Sequence, residues 1–135
     1  LIETYPNCMI IGSDQVLIRQ GHVLDKPKHE DEVFQRLSQL QGQTHTLHTA
    51  IALYYQGQWK QETVLAEMTM GELTENEIRS YLRQELAIGC AGGYKIESRG
   101  PLLFTSIKTE DYFSIIGLPL LSLTKFLREW GISPL

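Results

Sequence analysis

The sequence has few cysteines, no basic clusters and no long apolar runs. Cys8 and Cys90 are its only cysteines and lack Cys-x-x-Cys spacing, so we expect two idle thiols in a reducing cytoplasm. No apolar run approaches the ~18 residues of a membrane span, and the opening Leu1–Tyr5 lacks the basic region of a signal peptide. Twelve basic and sixteen acidic residues form no Lys/Arg block, which argues against non-specific nucleic-acid binding.

The composition is that of a packed protein. The 135 residues are 42% hydrophobic and 21% charged, which predicts one domain across 1–135 and argues against disorder. The net charge is −4, yet a local basic pocket for a nucleotide is compatible with an acidic chain. The first residue is not Met, so we expect the chain to be the C-terminal, larger part of a longer protein.

Short apolar runs bounded by turn residues predict the first strands. Met9–Ile11 is typical of a buried strand, ended by a turn at Gly12 and Ser13. The segment 16–24 predicts a hairpin whose loop has three residues centred on Gly21.

Four later segments are also predicted as strands. Thr46–Tyr55 and Trp59–Met70 are rich in β-branched and aromatic residues and predict a long hairpin. Leu102–Phe104 and Tyr112–Ile116 are apolar and predict two further strands.

Helices are predicted between these strands. Apolar residues recur at helical spacing across Asp31–Leu40. Thr74 and Glu77 have capping-box spacing, and Pro119 and Gly131 bound a last helix. Strands and helices alternate without a repeat or linker, so we predict a single α/β domain with a mixed sheet.

Asp14 is the first candidate for chemistry. It follows a predicted buried strand and turn, the position where α/β proteins usually place reactive groups. The alternative is a turn aspartate that bonds its own backbone.

Lys26 is the second candidate. A three-residue loop at Gly21 would put it diagonally across from Asp14, with Cα atoms about 7–8 Å apart. That carboxylate and ammonium would hold a metal-bound phosphate between them. A register shift of one residue would move one of them to the other face, and the alternative is a solvated hairpin lysine.

Glu97, in Lys95–Glu97, follows the loop Ala91–Tyr94, whose small residues would let a flat ligand approach the backbone. As an acceptor-only group, its carboxylate suits a purine edge, and the alternative is a surface strand of alternating charge. Four histidines have no metal-ligand spacing, and strand or loop positions explain them: His22, His29, His45 and His48.

Five blocks in order resemble the Maf family, the septum-formation-inhibitor homologues that act as nucleotide pyrophosphatases. They are an acidic motif at Ile10–Val16, a Lys-Pro motif at Asp25–Pro27, the stretch Leu37–Thr49, the loop Cys90–Tyr94 and the turn Ile115–Leu120. The resemblance runs nearly end to end and implies a Maf/ITPase-like fold, with helices packed on a long twisted sheet.

The resemblance also implies an activity. Members hydrolyse nucleoside triphosphates to monophosphate and pyrophosphate with a divalent metal, Mg²⁺ or Mn²⁺. Asp14 would activate the attacking water or hold the metal, and Lys26 would bind the phosphate chain. A cytoplasmic protein with a nucleotide as its partner is expected, and a homodimer is compatible with the family.

The details favour one branch. Gln15, the Cys90–Gly92 segment and Glu97 resemble the branch that prefers N7-methyl-GTP, with Gln15 and Glu97 selecting the base. The branch acting on dTTP and UTP usually has Asp-Thr at the acidic motif, and it remains the alternative substrate class.

The chain also departs from the family. The family's N-terminal strand and Ser-x-x-Arg-Arg phosphate loop are absent, and Ser114 replaces a common Asn. From these absences we expect an exposed sheet edge and little activity in the chain alone. A nucleotide-binding regulator of septum formation and a non-catalytic fragment are the competing hypotheses.

Overall fold

Five antiparallel strands form one sheet in the computed structural model, which describes residues 1–133 and 135. Their spatial order is β2-β1-β3-β4-β5, and every pairing is antiparallel. The α/β class is therefore confirmed, but the predicted mixed sheet is wrong, because all neighbouring strands run in opposite directions. The strands are β1 (Ile10–Arg19), β2 (His22–Leu24), β3 (Thr44–Tyr55), β4 (Gln58–Met70) and β5 (Phe104–Thr109).

Two-residue turns close both hairpins. Gln56 and Gly57 join β3 to β4, with φ angles of 47° and 80°, which confirms the long hairpin. Gln20 and Gly21 join β1 to β2, with φ angles of 51° and 79°. Positive φ at both central residues matches the right-handed twist of the strands. The predicted three-residue loop at Gly21 is therefore wrong by one residue.

Four helices cover one face of the sheet. They are α1 (Glu30–Leu40), α2 (Glu75–Gln84), α3 (Tyr112–Ile116) and α4 (Leu120–Glu129), and a 3₁₀ turn spans Gly100–Leu103. Alternate residues of β3 are buried, so one side of this strand faces the helices. The larger core lies under α1 and α2, and a smaller one, with Ile51, Leu53 and Phe126, lies under α4.

The segment Tyr112–Ile116 was predicted as a strand and forms helix α3. Asp111 caps it: one carboxylate oxygen accepts from the Phe113 amide at 3.0 Å and the other from the Leu121 amide at 2.7 Å. A short apolar run does not by itself distinguish a strand from a buried helix, and the Asp111 cap decides between them here. Leu102 and Leu103 likewise belong to the 3₁₀ turn, and their strand begins at Phe104.

The edge of β1 that does not pair with β3 lies close to the candidate functional site described below. This strand pairs with β3 from Ile10 to Ile18, but with β2 only from Leu17 to Arg19. Among the described residues, no strand pairs with the other edge of Ile10–Val16.

Within residues 1–133 and 135, no helix combines the length and apolar character needed to cross a membrane.

Removing the cap of α2 should cost stability. Thr74 Oγ1 accepts from the Glu77 amide at 3.3 Å, and the Glu77 carboxylate accepts from the Thr74 amide at 2.7 Å, which confirms the capping box. Thr74→Ala should lower the free energy of unfolding by about 1 kcal/mol, measured by urea denaturation. Asn76→Ala, on the exposed side of the same helix, is the matched control, and an equal loss in both variants would contradict the cap's role.

Candidate functional site

A cavity of about 240 Å³ lies between β1, the segment after β2, the glycine loop and the end of α3. Here the glycine loop means residues 89–97. The cavity wall contains all four residues that the sequence nominated: Asp14, Gln15, Lys26 and Glu97. Residues 83 positions apart in the chain, Asp14 and Glu97, therefore share one site.

Asp14 and Lys26 form an ion pair at the mouth of this cavity. Lys26 Nζ lies 3.7 Å from Asp14 Oδ1, and the two side chains are 51% and 79% exposed. Asp14 Oδ1 also accepts a hydrogen bond from the Gln15 amide at 2.8 Å. The predicted partnership is thus present, and both charges remain accessible to a ligand.

The structure brings Asp14 and Lys26 together in a different way from the one predicted. Asp14 lies within β1 and does not follow it, because Gly12 and Ser13 are extended and pair with Ala52 and Ile51. The observed register would place residue 26 opposite Gln15, on the other face from Asp14. Strand β2 ends at Leu24, however, so Lys26 leaves the ladder and its side chain can reach the edge of β1.

Gln15 connects the middle of β1 to the end of α3. Its Nε2 lies 2.8 Å from the Ser114 carbonyl oxygen, 3.0 Å from that of Ile115 and 3.0 Å from Thr49 Oγ1. Its two amide hydrogens are therefore engaged within the protein, so its oxygen is the atom available to a ligand. The sequence nominated Gln15 for base selection and gave no sign of this structural link.

The glycine loop reaches the site without regular secondary structure. The Gly89 amide donates to the Pro27 carbonyl oxygen at 2.8 Å, so the loop is joined to the segment that carries Lys26. Gly89 and Gly93 have φ angles of 78° and 73°, a region that favours glycine. The surface-strand alternative for Glu97 is wrong, because 95–97 lies in this loop.

Lys95 is a cavity residue that the sequence analysis did not nominate. It lines the same wall as Glu97, two residues away, and adds a second ammonium group to the one on Lys26. Its position directly after Ala91–Tyr94, in the Lys-Ile-Glu sequence that also carries Glu97, could have identified it from the sequence. Two lysines and two carboxylates give the cavity the mixed charge that a phosphate and a polar ring require together.

The donor set suits a shared metal rather than a protein cage. Among residues 1–133 and 135, no three His, Cys, Asp or Glu side chains cluster closely enough to hold an ion. Mg²⁺ commonly uses one or two carboxylates and takes its remaining ligands from water and substrate phosphates. Asp14, exposed at the cavity mouth, fits the role of the protein carboxylate in such an arrangement.

Comparison with known proteins identifies the family to which the chain belongs. Residues 1–130 match a family described as Maf-like protein. The chain belongs to the Maf family. The resemblance predicted from the five sequence blocks is therefore confirmed across nearly the whole chain.

Several relatives of this Maf chain are named 7-methyl-GTP pyrophosphatase. The protein of Syntrophotalea carbinolica is 38% identical, over 98% of this chain and 68% of its own length. Those of Cupriavidus pinatubonensis and Idiomarina loihiensis are each 37% identical, over 97% and 98% of this chain and 67% and 68% of their own lengths. The Maf chain thus spans about two thirds of the length of these relatives.

Proposed function

We propose that this Maf protein is a nucleotide pyrophosphatase that converts N7-methyl-GTP to its monophosphate and pyrophosphate. The observation that carries the proposal is a single cavity with the Asp14–Lys26 pair at its mouth and Glu97 in its wall. Relatives named 7-methyl-GTP pyrophosphatase, at 37–38% identity, support the same substrate.

Asp14 is proposed as the base for the attacking water. The carboxylate takes a proton as the water oxygen bonds to the α-phosphorus, and the α–β bridging P–O bond breaks. Pyrophosphate leaves with that electron pair. General-base assistance contributes typically about 10²–10⁴-fold, and Asp14 is exposed enough to reach a bound water.

Lys26 and Lys95 are proposed to neutralise the phosphate chain. Phosphoryl-group chemistry depends mainly on positioning and on stabilising charge that builds on the oxygens. A Mg²⁺ or Mn²⁺ ion, bound by Asp14 and the phosphates, would supply further Lewis-acid stabilisation. Before a nucleotide binds, Lys26 is paired with the Asp14 carboxylate, so both groups already stand together at the cavity mouth.

Glu97 is proposed to recognise the base. A carboxylate accepts hydrogen bonds only, and guanine offers an N1–H and an amino group as donors on one edge. Methylation at N7 makes the ring cationic, so a nearby negative charge favours it over unmodified guanine. The Gln15 oxygen, in the same wall, is a second acceptor available to the ring.

A nucleotide panel, assayed with the full-length protein and its full-length variants, tests this function. Pyrophosphate release and equilibrium binding should be measured for N7-methyl-GTP, GTP, dTTP and UTP, each with Mg²⁺ and with Mn²⁺. We expect N7-methyl-GTP to give the highest kcat/KM. Preference for dTTP or UTP would contradict the assignment to methylated guanine, and tight binding without turnover would favour a regulatory protein.

A further inference from the structure

Tyr94, which lies within the glycine loop and also lines the cavity, forms a buried polar pair with His45 of β3. Tyr94 Oη lies 2.8 Å from His45 Nε2, and the two residues are only 5% and 2% exposed. The Tyr94 ring packs edge-on against Phe104, with centroids 4.8 Å apart. Burial, aided by Arg19 and Arg36, lowers the pKa of His45 to about 4, so the imidazole is neutral at pH 7.

The glycine loop folds directly onto this tyrosine. A Cβ atom added at Gly92 would lie 2.0 Å from Tyr94 Cε1, so the loop backbone rests against the ring with no room for a side chain. On one side of Tyr94, the Ala91 carbonyl oxygen accepts from Arg36 Nη1 at 3.2 Å. On the other, the Lys95 amide donates to Tyr81 Oη at 3.3 Å. Tyr94 is therefore the buried anchor in the middle of the loop.

This arrangement is costly as core packing. His45 Nδ1 and Arg36 Nε are buried without a hydrogen-bond partner among the described residues. Buried polar atoms of this kind lower stability, and apolar side chains of similar shape would fill the same space without that cost. The polar pair thus calls for an explanation other than stability.

We propose that Tyr94 and His45 are positioning residues that set where Lys95 and Glu97 stand in the nucleotide cavity. The inference rests on the proposed function, because Glu97 is taken as the group that contacts the base. The hydrogen bond between the Tyr94 hydroxyl and His45 fixes the Tyr94 ring against β3, and the ring in turn fixes the backbone at Gly92. The three residues that follow Tyr94 then carry Lys95 and Glu97 into the cavity wall. Neither Tyr94 nor His45 needs to take part in the chemical step.

The first test is Tyr94→Phe, which keeps the ring and removes the bond to His45. We expect KM and the dissociation constant for N7-methyl-GTP to rise about tenfold, as for the loss of one well-placed interaction, with kcat nearly unchanged. The preference over GTP should fall as well. Thr74→Ala, which weakens the N-terminal cap of α2 outside the cavity, is the control for lost stability and should leave these constants unchanged.

The second test separates positioning from stability. In Tyr94→Phe/His45→Leu neither buried partner is left unpaired, so stability should recover relative to Tyr94→Phe alone. Nucleotide affinity should stay low, because the loop has lost its attachment to β3. Recovery of affinity together with stability would show a purely structural pair and overturn the proposal.

Failure of the two proposals can be told apart. The variants are measured with whichever nucleotide the wild-type protein prefers in the panel. If that nucleotide is not N7-methyl-GTP, the proposed substrate is wrong, while an affinity loss in Tyr94→Phe still supports positioning. If wild type prefers N7-methyl-GTP and Tyr94→Phe binds it equally well, only the positioning role is wrong. If no nucleotide binds, both are overturned.

Discussion

Replacing Asp14 with Asn should lower pyrophosphate release from N7-methyl-GTP by about 10²–10⁴-fold, the range of general-base assistance. The carboxamide cannot accept the proton of the attacking water and carries no charge for a metal. Asparagine is nearly isosteric with aspartate, and its side-chain oxygen can still accept the hydrogen bond that Asp14 Oδ1 accepts from the Gln15 backbone amide. The fold should therefore persist, which unchanged thermal unfolding would verify.

The control for this variant is Asp31→Asn, which removes the same charge from an exposed position in the first turn of helix α1. Turnover should be measured by pyrophosphate release at saturating nucleotide, so that a loss in kcat is separated from a loss in binding. Hydrolysis that survives in Asp14→Asn at the level of the Asp31 variant would show that another group activates the water.

Glu97→Gln should lower the preference for N7-methyl-GTP over dTTP by about 10–100-fold, as expected for losing a hydrogen bond to a charged acceptor. The neutral glutamine side chain can place an N–H donor opposite the N–H donors of guanine, and it no longer attracts the cationic ring. Because a glutamine offers both a donor and an acceptor, it suits a pyrimidine edge better. The measurement is the ratio of kcat/KM values for the two nucleotides.

Glu110→Gln is the matched control, because it neutralises an exposed carboxylate outside the cavity. It should leave the ratio unchanged. A ratio in Glu97→Gln that equals the wild-type value would remove Glu97 from base recognition and leave Gln15 as the remaining candidate.

Local patterns predicted much of the fold. The β3–β4 hairpin and the capping box at Thr74 and Glu77 depend on residues close in sequence, and both are confirmed. The same kind of reading failed at Gly12 and Ser13, which look like a turn in sequence but extend because β3 pairs with them. Tertiary pairing overrode a local preference there.

The sequence predicted which residues form the site better than it predicted the contacts that hold them in place. Family resemblance and local chemistry nominated Asp14 and Lys26, and the structure pairs them. The supporting contacts join distant parts of the chain: Gln15 bonds carbonyls 99 and 100 residues away, and His45 meets Tyr94 across 49. No periodicity or spacing marks such contacts, because they arise only once the sheet and helices pack.

The openness of the Asp14–Lys26 pair has a consequence for how the protein responds to salt. Exposed ion pairs contribute only about 0–1 kcal/mol, so an arriving triphosphate can separate this one at little cost. The same exposure leaves its attraction for phosphate screened by dissolved ions, over a Debye length of about 8 Å at physiological ionic strength. Added salt should therefore weaken nucleotide capture well before it disturbs the folded chain.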